Sequence, residues 1–362
     1  MILCCVVQYR YGRSTSLFLF ALYSVFLFIS FKAAFIRPFG HVLIASTSLV
    51  FASLFLPFSI KAKPALLVSV LCLSAALILD QRYASVNLFK NMKSNYTAAL
   101  NGLYRRVSEP GWLRNNYLLT LEYLHQKNAF PNLPGSTDIY SYQQTDLLAS
   151  GNKWSPRPIF QSYSVFNKVL SQANYMHLLS SNRPDFIFFK MQAIDNRLPP
   201  LEDSSSWSLL LNEYHPMKWV GDVLLLAKNR VHYYQRIKRI EIQGMLGLPV
   251  NIPFSSGLVY MHLQPLSSLW GRGLNFLYKR DEMYIDIGFE NSSMKRFRFI
   301  PEMAEDELLL SPLIETTEEF SHLYVKNTLA YKRVKTVTLN SSSPAQWQRH
   351  FKVYFYQIKN LA

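Results

Sequence analysis

The sequence predicts a membrane-anchored, two-lobed chain. An α-helical N-terminal part with three transmembrane spans leads into an α/β domain with a small, mostly parallel sheet, and a β-sandwich or jelly-roll-like domain ends it. Three observations carry this expectation. Acidic residues are absent before Asp80, and the first 79 positions hold only six Lys or Arg. Residues 154–203 have the strand, helix, strand rhythm of a βαβ unit. After residue 231 the pattern changes to short, often alternating runs separated by turns.

The composition bounds the function. The chain has 362 residues, 49% hydrophobic and only 17% charged, which is apolar for its size. Its net charge of +15 is spread without the Lys/Arg block that marks a nucleic-acid footprint. Cys4, Cys5 and Cys72 all precede residue 80, so the larger part has no thiol for a disulfide, zinc knuckle or nucleophile. His177 and His215 have no second histidine at metal spacing, and no G-x-S-x-G, H-E-x-x-H, G-x-G-x-x-G or P-loop occurs. Neither a metal nor a cofactor is expected.

Within residues 1–81, three uncharged runs at 14–31, 38–60 and 64–79 read as transmembrane helices, the second being the most comfortable length. Arg10, Arg13, Lys61 and Lys63 outnumber Lys32 and Arg37, which puts the N-terminus in the cytoplasm and everything after the third span outside. No carboxylate or polar run falls inside the spans, so a transport path is not expected. Residues 1–9 are apolar but too short to span. They look like the tail of a truncated helix from a longer polytopic protein, or equally like an interfacial start.

Residues 82–130 read as two connecting helices. The first carries Phe89, Met92, Tyr96, Leu100 and Leu103 on one face, suited either to the membrane surface or to packing on the domain behind it. The α/β domain, 131–230, then takes strands at 138–141, 159–163 and 185–189, helices at 166–176 and 204–214, and a hairpin turning at Gly221-Asp222. In the β part, 231–362, strands are expected at 258–262, 274–278, 283–289, 296–300, 336–339 and 351–358.

Polar residues collect where the carboxyl ends of the parallel strands should lie, the edge that binds ligands in open α/β sheets. Trp154 can stack on a sugar, and Gln161 and Tyr163 can hydrogen-bond one. Arg157, stiffened between Pro156 and Pro158, suits a phosphate or carboxylate, and Asp138 or Asp195 would serve as its partner equally well. Asp195, Arg197, Glu202 and Asp203 form the densest polar cluster; paired carboxylates can do acid/base work, but the same residues can pair with an arginine and cap a helix. No residue is assigned as catalytic.

The stretches WSPRPIFQSYS, PDFIFF, IDNRLPPLED and LLLSPLI resemble the outer C-terminal region of uncharacterised bacterial polytopic membrane proteins grouped with GT-C-type, lipid-sugar-dependent glycosyltransferases. The resemblance covers roughly 135–226 well and the β part loosely. It implies a multi-pass protein of the bacterial inner membrane with its C-terminal domains on the periplasmic side. This chain departs from the pattern: its loop between the first two spans has no carboxylate to serve as the catalytic acid. The expectation is therefore an extracytoplasmic module that binds glycan or polyprenyl-linked sugar without catalysing, anchored in the lipid bilayer. The alternative is a cell-envelope scaffold without ligand chemistry.

Overall fold

The computed structural model describes residues 13–35, 41–55, 62–83, 88–128, 130–140, 142–228, 234–278, 281–325 and 329–360. The chain divides into two compact units, one formed by 1–113 with 273–280 and the other by 114–272 with 281–362. The apolar N-terminal stretch, residues 1–9, lies outside the described residues.

The first unit is helical. Helices α1 (Arg13–Phe35) and α3 (Ala62–Tyr83) are long and apolar enough to cross a membrane. Helix α2 (Val42–Leu54) is not: its 13 residues rise about 20 Å against a hydrocarbon core of about 30 Å. Three spans were expected and two described helices qualify, because the middle run, the longest by composition, forms its helix over little more than half its length; the rest lies outside the described residues. Small residues are buried where the helices meet, which lets their backbones approach closely. Ser46, Ala52 and Ser53 of α2 are buried, and Ser69 of α3 donates to the Ser53 carbonyl at 3.1 Å. Helix α4 (Leu88–Ser108) leaves its stripe exposed, with Met92, Tyr96, Leu100 and Leu103 all open.

In the second unit, α5 (Trp112–Asn128) leads to a five-stranded mixed sheet ordered β2-β1-β3-β5-β4. Its members are β1 (Ser136–Tyr140), β2 (Lys153–Trp154), β3 (Phe186–Phe189), β4 (Tyr214–Val220) and β5 (Val223–Lys228). Strands β2, β1 and β3 run parallel, whereas β5 and β4 are antiparallel additions joined at Gly221. The strand expected at 159–163 is instead the two-residue β2, five positions earlier. Helices α6 (Gln144–Ala149) and α7 (Lys168–Leu179) make the two crossovers, and α8 (Ser204–Glu213) precedes the hairpin.

Alternation in β3 and β5 splits their side chains between two cores. Phe188, Val223 and Leu225 join Phe130 and Ile139 on one face; Ile187, Phe189, Leu224 and Leu226 join Trp207 and Leu210 on the other. The second core also takes in Tyr260, Leu309, Phe320 and Tyr356, so the α/β and β-rich parts share a hydrophobic interior.

The β-rich part holds two antiparallel four-stranded sheets. One is ordered β10-β9-β12-β7, the other β11-β8-β13-β6. They comprise β6 (Tyr234–Met245), β7 (Val250–Asn251), β8 (Leu258–Gln264), β9 (Met283–Phe289), β10 (Met294–Phe299), β11 (Leu308–Ser311), β12 (Val334–Ser341) and β13 (His350–Asn360). Ile285, Ile287, Phe297 and Leu339 from the first sheet and Met261, Val353 and Phe355 from the second lie in one core. Of residues 274–278, expected as a strand, 274–277 belong to helix α9 (Leu269–Leu277), whose first turn is capped where the Gly271 N–H donates to Ser268 Oγ at 3.0 Å. Helix α10 (Thr317–His322) follows β11.

Candidate functional site

The parallel strands β1 and β3 end at Tyr140 and Phe189, and the chain beyond each forms a small cavity of about 30 Å³, lined among others by Tyr142, Ser162, Lys190, Gln192, Glu202 and Trp207. That is room for about two waters or the edge of a polar group. It sits at the carboxyl edge, where the sequence pattern points.

Beneath it lies a buried charge network. The side chains of Arg157, Asp138 and Asp203 are fully buried. Arg157 Nη1 donates to Asp138 Oδ2 and to the Ile139 carbonyl, both at 2.9 Å, and Nη2 donates to the Phe160 carbonyl at 3.0 Å and to Ser162 Oγ at 2.9 Å. The guanidinium lies 3.4 Å from the centre of the Tyr140 ring. Trp154 Nε1 donates to the other oxygen of Asp138 at 3.1 Å, and Asn174 Nδ2 donates to Asp203 at 3.0 Å. Of the two partners the sequence offers Arg157, Asp138 is the one it takes.

Electrostatics follow from the burial. Desolvation opposes the charge on Arg157, but Tyr140, Asp138 and Asp203 outweigh it and hold its pKa up. Asp203 is pushed upward by burial, with Arg157 and Asn174 holding it back.

The polar cluster at 195–203 is not one site. Asp195, Asn196 and Asp203 all have left-handed backbone, with φ of 54°, 52° and 54°, an arrangement non-glycine residues adopt only where the surroundings fix it. Asp195 turns outward to Arg298 of β10 at 3.4 Å, while the Leu198 N–H donates to the Arg298 carbonyl and the Arg298 N–H to the Asn196 carbonyl. Arg197 Nη1 donates to the Tyr163 carbonyl at 2.8 Å. Asp203 occupies the N-cap position of α8 but makes no side-chain cap; its carboxylate points to Arg157 and Asn174 instead.

Glu202 alone of the four lines the cavity. It is 7% exposed, accepts from the Ile194 N–H at 3.2 Å, and burial pushes its pKa up to about 7, with the Ile194 N–H and Arg197 holding it back. Tyr142 is raised as well, first by burial and then by Glu202. Tyr163 meets Tyr142 edge-on at 5.2 Å between ring centres, and Gln161 gives its carbonyl to the Ser164 N–H.

The eight residues singled out in the sequence therefore divide. Trp154, Arg157 and Asp203 belong to the buried network, Tyr163, Arg197 and Glu202 to the cavity and its rim, and Asp195 to the contact with β10. Gln161 opens the turn beside them. Arg157 has both terminal nitrogens spent on protein acceptors, the first of them the Asp138 that the sequence offers as an alternative to a ligand. Sequence reasoning missed Tyr142, Lys190, Gln192 and Trp207; the first three directly follow strand ends, which is the signal that could have found them. Among the described residues, no group of three His, Cys, Asp or Glu is arranged to hold a metal ion.

Comparison with models of known protein families, with curated proteins and with solved structures finds no match to this chain.

Proposed function

We propose that this chain is the membrane-anchored, extracytoplasmic module of a glycosyltransferase-like envelope protein, and that it binds a glycan or lipid-linked sugar without catalysing. The observation that carries the reading is Glu202: a nearly buried carboxyl with a pKa of about 7, beside Tyr142 at the carboxyl edge of a sheet. A carboxyl that exchanges its proton near neutrality can accept from, or donate to, a sugar hydroxyl. Two helices of spanning length supply the anchor. In the same proposal the protein is multi-pass in a bacterial inner membrane, its second unit faces the periplasm, and the two antiparallel sheets form a β-sandwich.

The test is binding of prenyl-phosphate sugars and of soluble oligosaccharides to the full chain in nanodiscs. Glu202→Gln and Tyr142→Phe should each weaken binding at least tenfold while thermal stability at pH 5 stays near that of the parent. Undiminished affinity in both variants would remove the site. A second reading, a scaffold without ligand chemistry, is favoured by the size of the cavity, about 30 Å³ against the several hundred of most ligand pockets. It predicts no saccharide binding by the parent chain.

A further inference from the structure

Helix α9 interrupts the strand pattern between β8 and β9, and its composition is unlike that of the elements around it: LWGRGLNFL, followed by Tyr278. At about 100° per residue, Leu269, Trp270, Phe276 and Leu277 fall within about 120° of one another around the helix. Asn275 lies on the opposite side, and Arg272 falls just outside the edge of that face. All four large apolar residues are exposed, at 79%, 65%, 69% and 47%.

The helix is held at one end of a membrane-length helix. Within the first unit, Phe276 packs on Phe28 of α1, with ring centres 5.7 Å apart, and Tyr278 meets Phe31 edge-on at 6.1 Å. Lys32, the cation in the last turn of α1, donates through Nζ to the Asn275 carbonyl at 2.9 Å and the Tyr278 carbonyl at 3.0 Å. Those carbonyls end α9, where a helix leaves acceptors unsatisfied and favours positive charge. Lys32 is the one charged residue of the apolar span Leu17–Phe35 and stands in its last turn, so the C-terminal end of α9 lies beside the end of that span. Phe276 there continues the exposed surface formed along α1 by Leu17, Leu22 and Ile29.

We infer that residues 269–278 are an in-plane membrane anchor, with Leu269, Trp270, Phe276 and Leu277 seated among phospholipid acyl chains at the headgroup boundary. Tryptophan and tyrosine suit that layer, and a short helix with one apolar face and an arginine off that face lies in it rather than across it. The inference rests on the membrane placement of α1 and is independent of any sugar binding.

The experiment places a nitroxide at Leu269→Cys or Phe276→Cys in the full chain, with Cys4, Cys5 and Cys72 replaced by Ser, in phosphatidylcholine–phosphatidylglycerol nanodiscs. Accessibility to oxygen, which enriches in lipid, is compared with accessibility to a water-soluble nickel chelate. Leu269 is 79% exposed, so its substitution leaves packing intact; Phe276→Cys gives up the ring contact with Phe28 and keeps the Lys32 bonds that hold the end of α9. Leu22→Cys serves as the hydrocarbon reference and Lys238→Cys as the aqueous one. An oxygen-to-nickel ratio at 269 and 276 several-fold above that at 238 supports the anchor. Two results overturn it while leaving α1 in the bilayer: a ratio equal to that at 238, or poor access of both reagents, which would mean that protein, such as a second copy of this chain, covers the helix. A water-like ratio at 22 would instead remove the membrane premise and the anchor with it.

Discussion

Replacing Glu202 by Gln should stabilise the protein at alkaline pH and leave it nearly unchanged at acid pH. The amide keeps an oxygen to accept from the Ile194 N–H but does not titrate. In the folded chain Glu202 holds its proton up to about pH 7, against an ordinary value of 4.5. Between those values the folded state binds more protons than the unfolded one. The contribution is therefore fully present below about 4.5 and is lost as pH rises through about 7. At roughly 1.4 kcal/mol per pKa unit the gap is worth about 3 kcal/mol, most of it lost between pH 5 and pH 8.

Thermal unfolding of the full chain in detergent, followed by tryptophan fluorescence, reads the effect. For a unit of this size about 3 kcal/mol corresponds to roughly 5–10 °C. The variant should melt within a degree or two of the parent at pH 5 and about 5–10 °C above it at pH 8, other titrating groups cancelling in the difference. A melting gap that stays flat across this range would show that Glu202 is solvated, and that the cavity does not perturb it as the geometry requires.

Three further outcomes are expected. Arg157→Met leaves Asp138 and Asp203, both with fully buried side chains, without their cation and should cost about 3–5 kcal/mol in urea unfolding, part of it recovered when Asp203→Asn is added. Thr316→Ala removes the side-chain acceptor for the Glu319 N–H at the start of α10, where Glu319 in turn accepts from the Glu315 N–H, and should lower stability by about 1 kcal/mol in the same assay. Burial works against the charge of Glu315, but Lys295 and Lys332 outweigh it and hold its pKa below the ordinary value, so its support is present above about 4.5 and lost as pH falls. Lys332→Met should accordingly flatten the acid limb of the stability profile, and an unchanged limb would count against the pairing.

What the sequence disclosed follows from where one period dominates. Strand β3 is legible because Pro184 bounds an apolar run too short for a helix, and α8 because Trp207, Leu210, Leu211 and Tyr214 keep one face. Strand β2 was misplaced since its pairing is two residues at a sheet edge, Lys153 and Trp154 opposite Ser136 and Thr137, and leaves no periodic trace. Residues 274–278 fit a strand by composition; the cap at Ser268, six positions earlier, decides for a helix. Strand β6 was overlooked because, as the edge of its sheet, it carries Arg236, Lys238 and Arg239 where a central strand would be apolar.

The site was legible as a place and not as a set of side chains, for a reason that lies in the backbone. Reading neighbours as one cluster assumes that direction advances by about 100° or 180° per residue, as in a helix or strand. Left-handed residues at 195, 196 and 203 break that assumption. Consecutive carboxylates then part company: Asp195 goes to Arg298, Glu202 to the cavity, Asp203 to Arg157. Because Arg157 already faces two buried carboxylates, bringing Glu202 inward as a third would add an unpaired charge to a dry interior, at a cost of several kcal/mol. The turn at 203 aims Asp203 inward and leaves Glu202 at the cavity, where protonation rather than an ion pair relieves its burial.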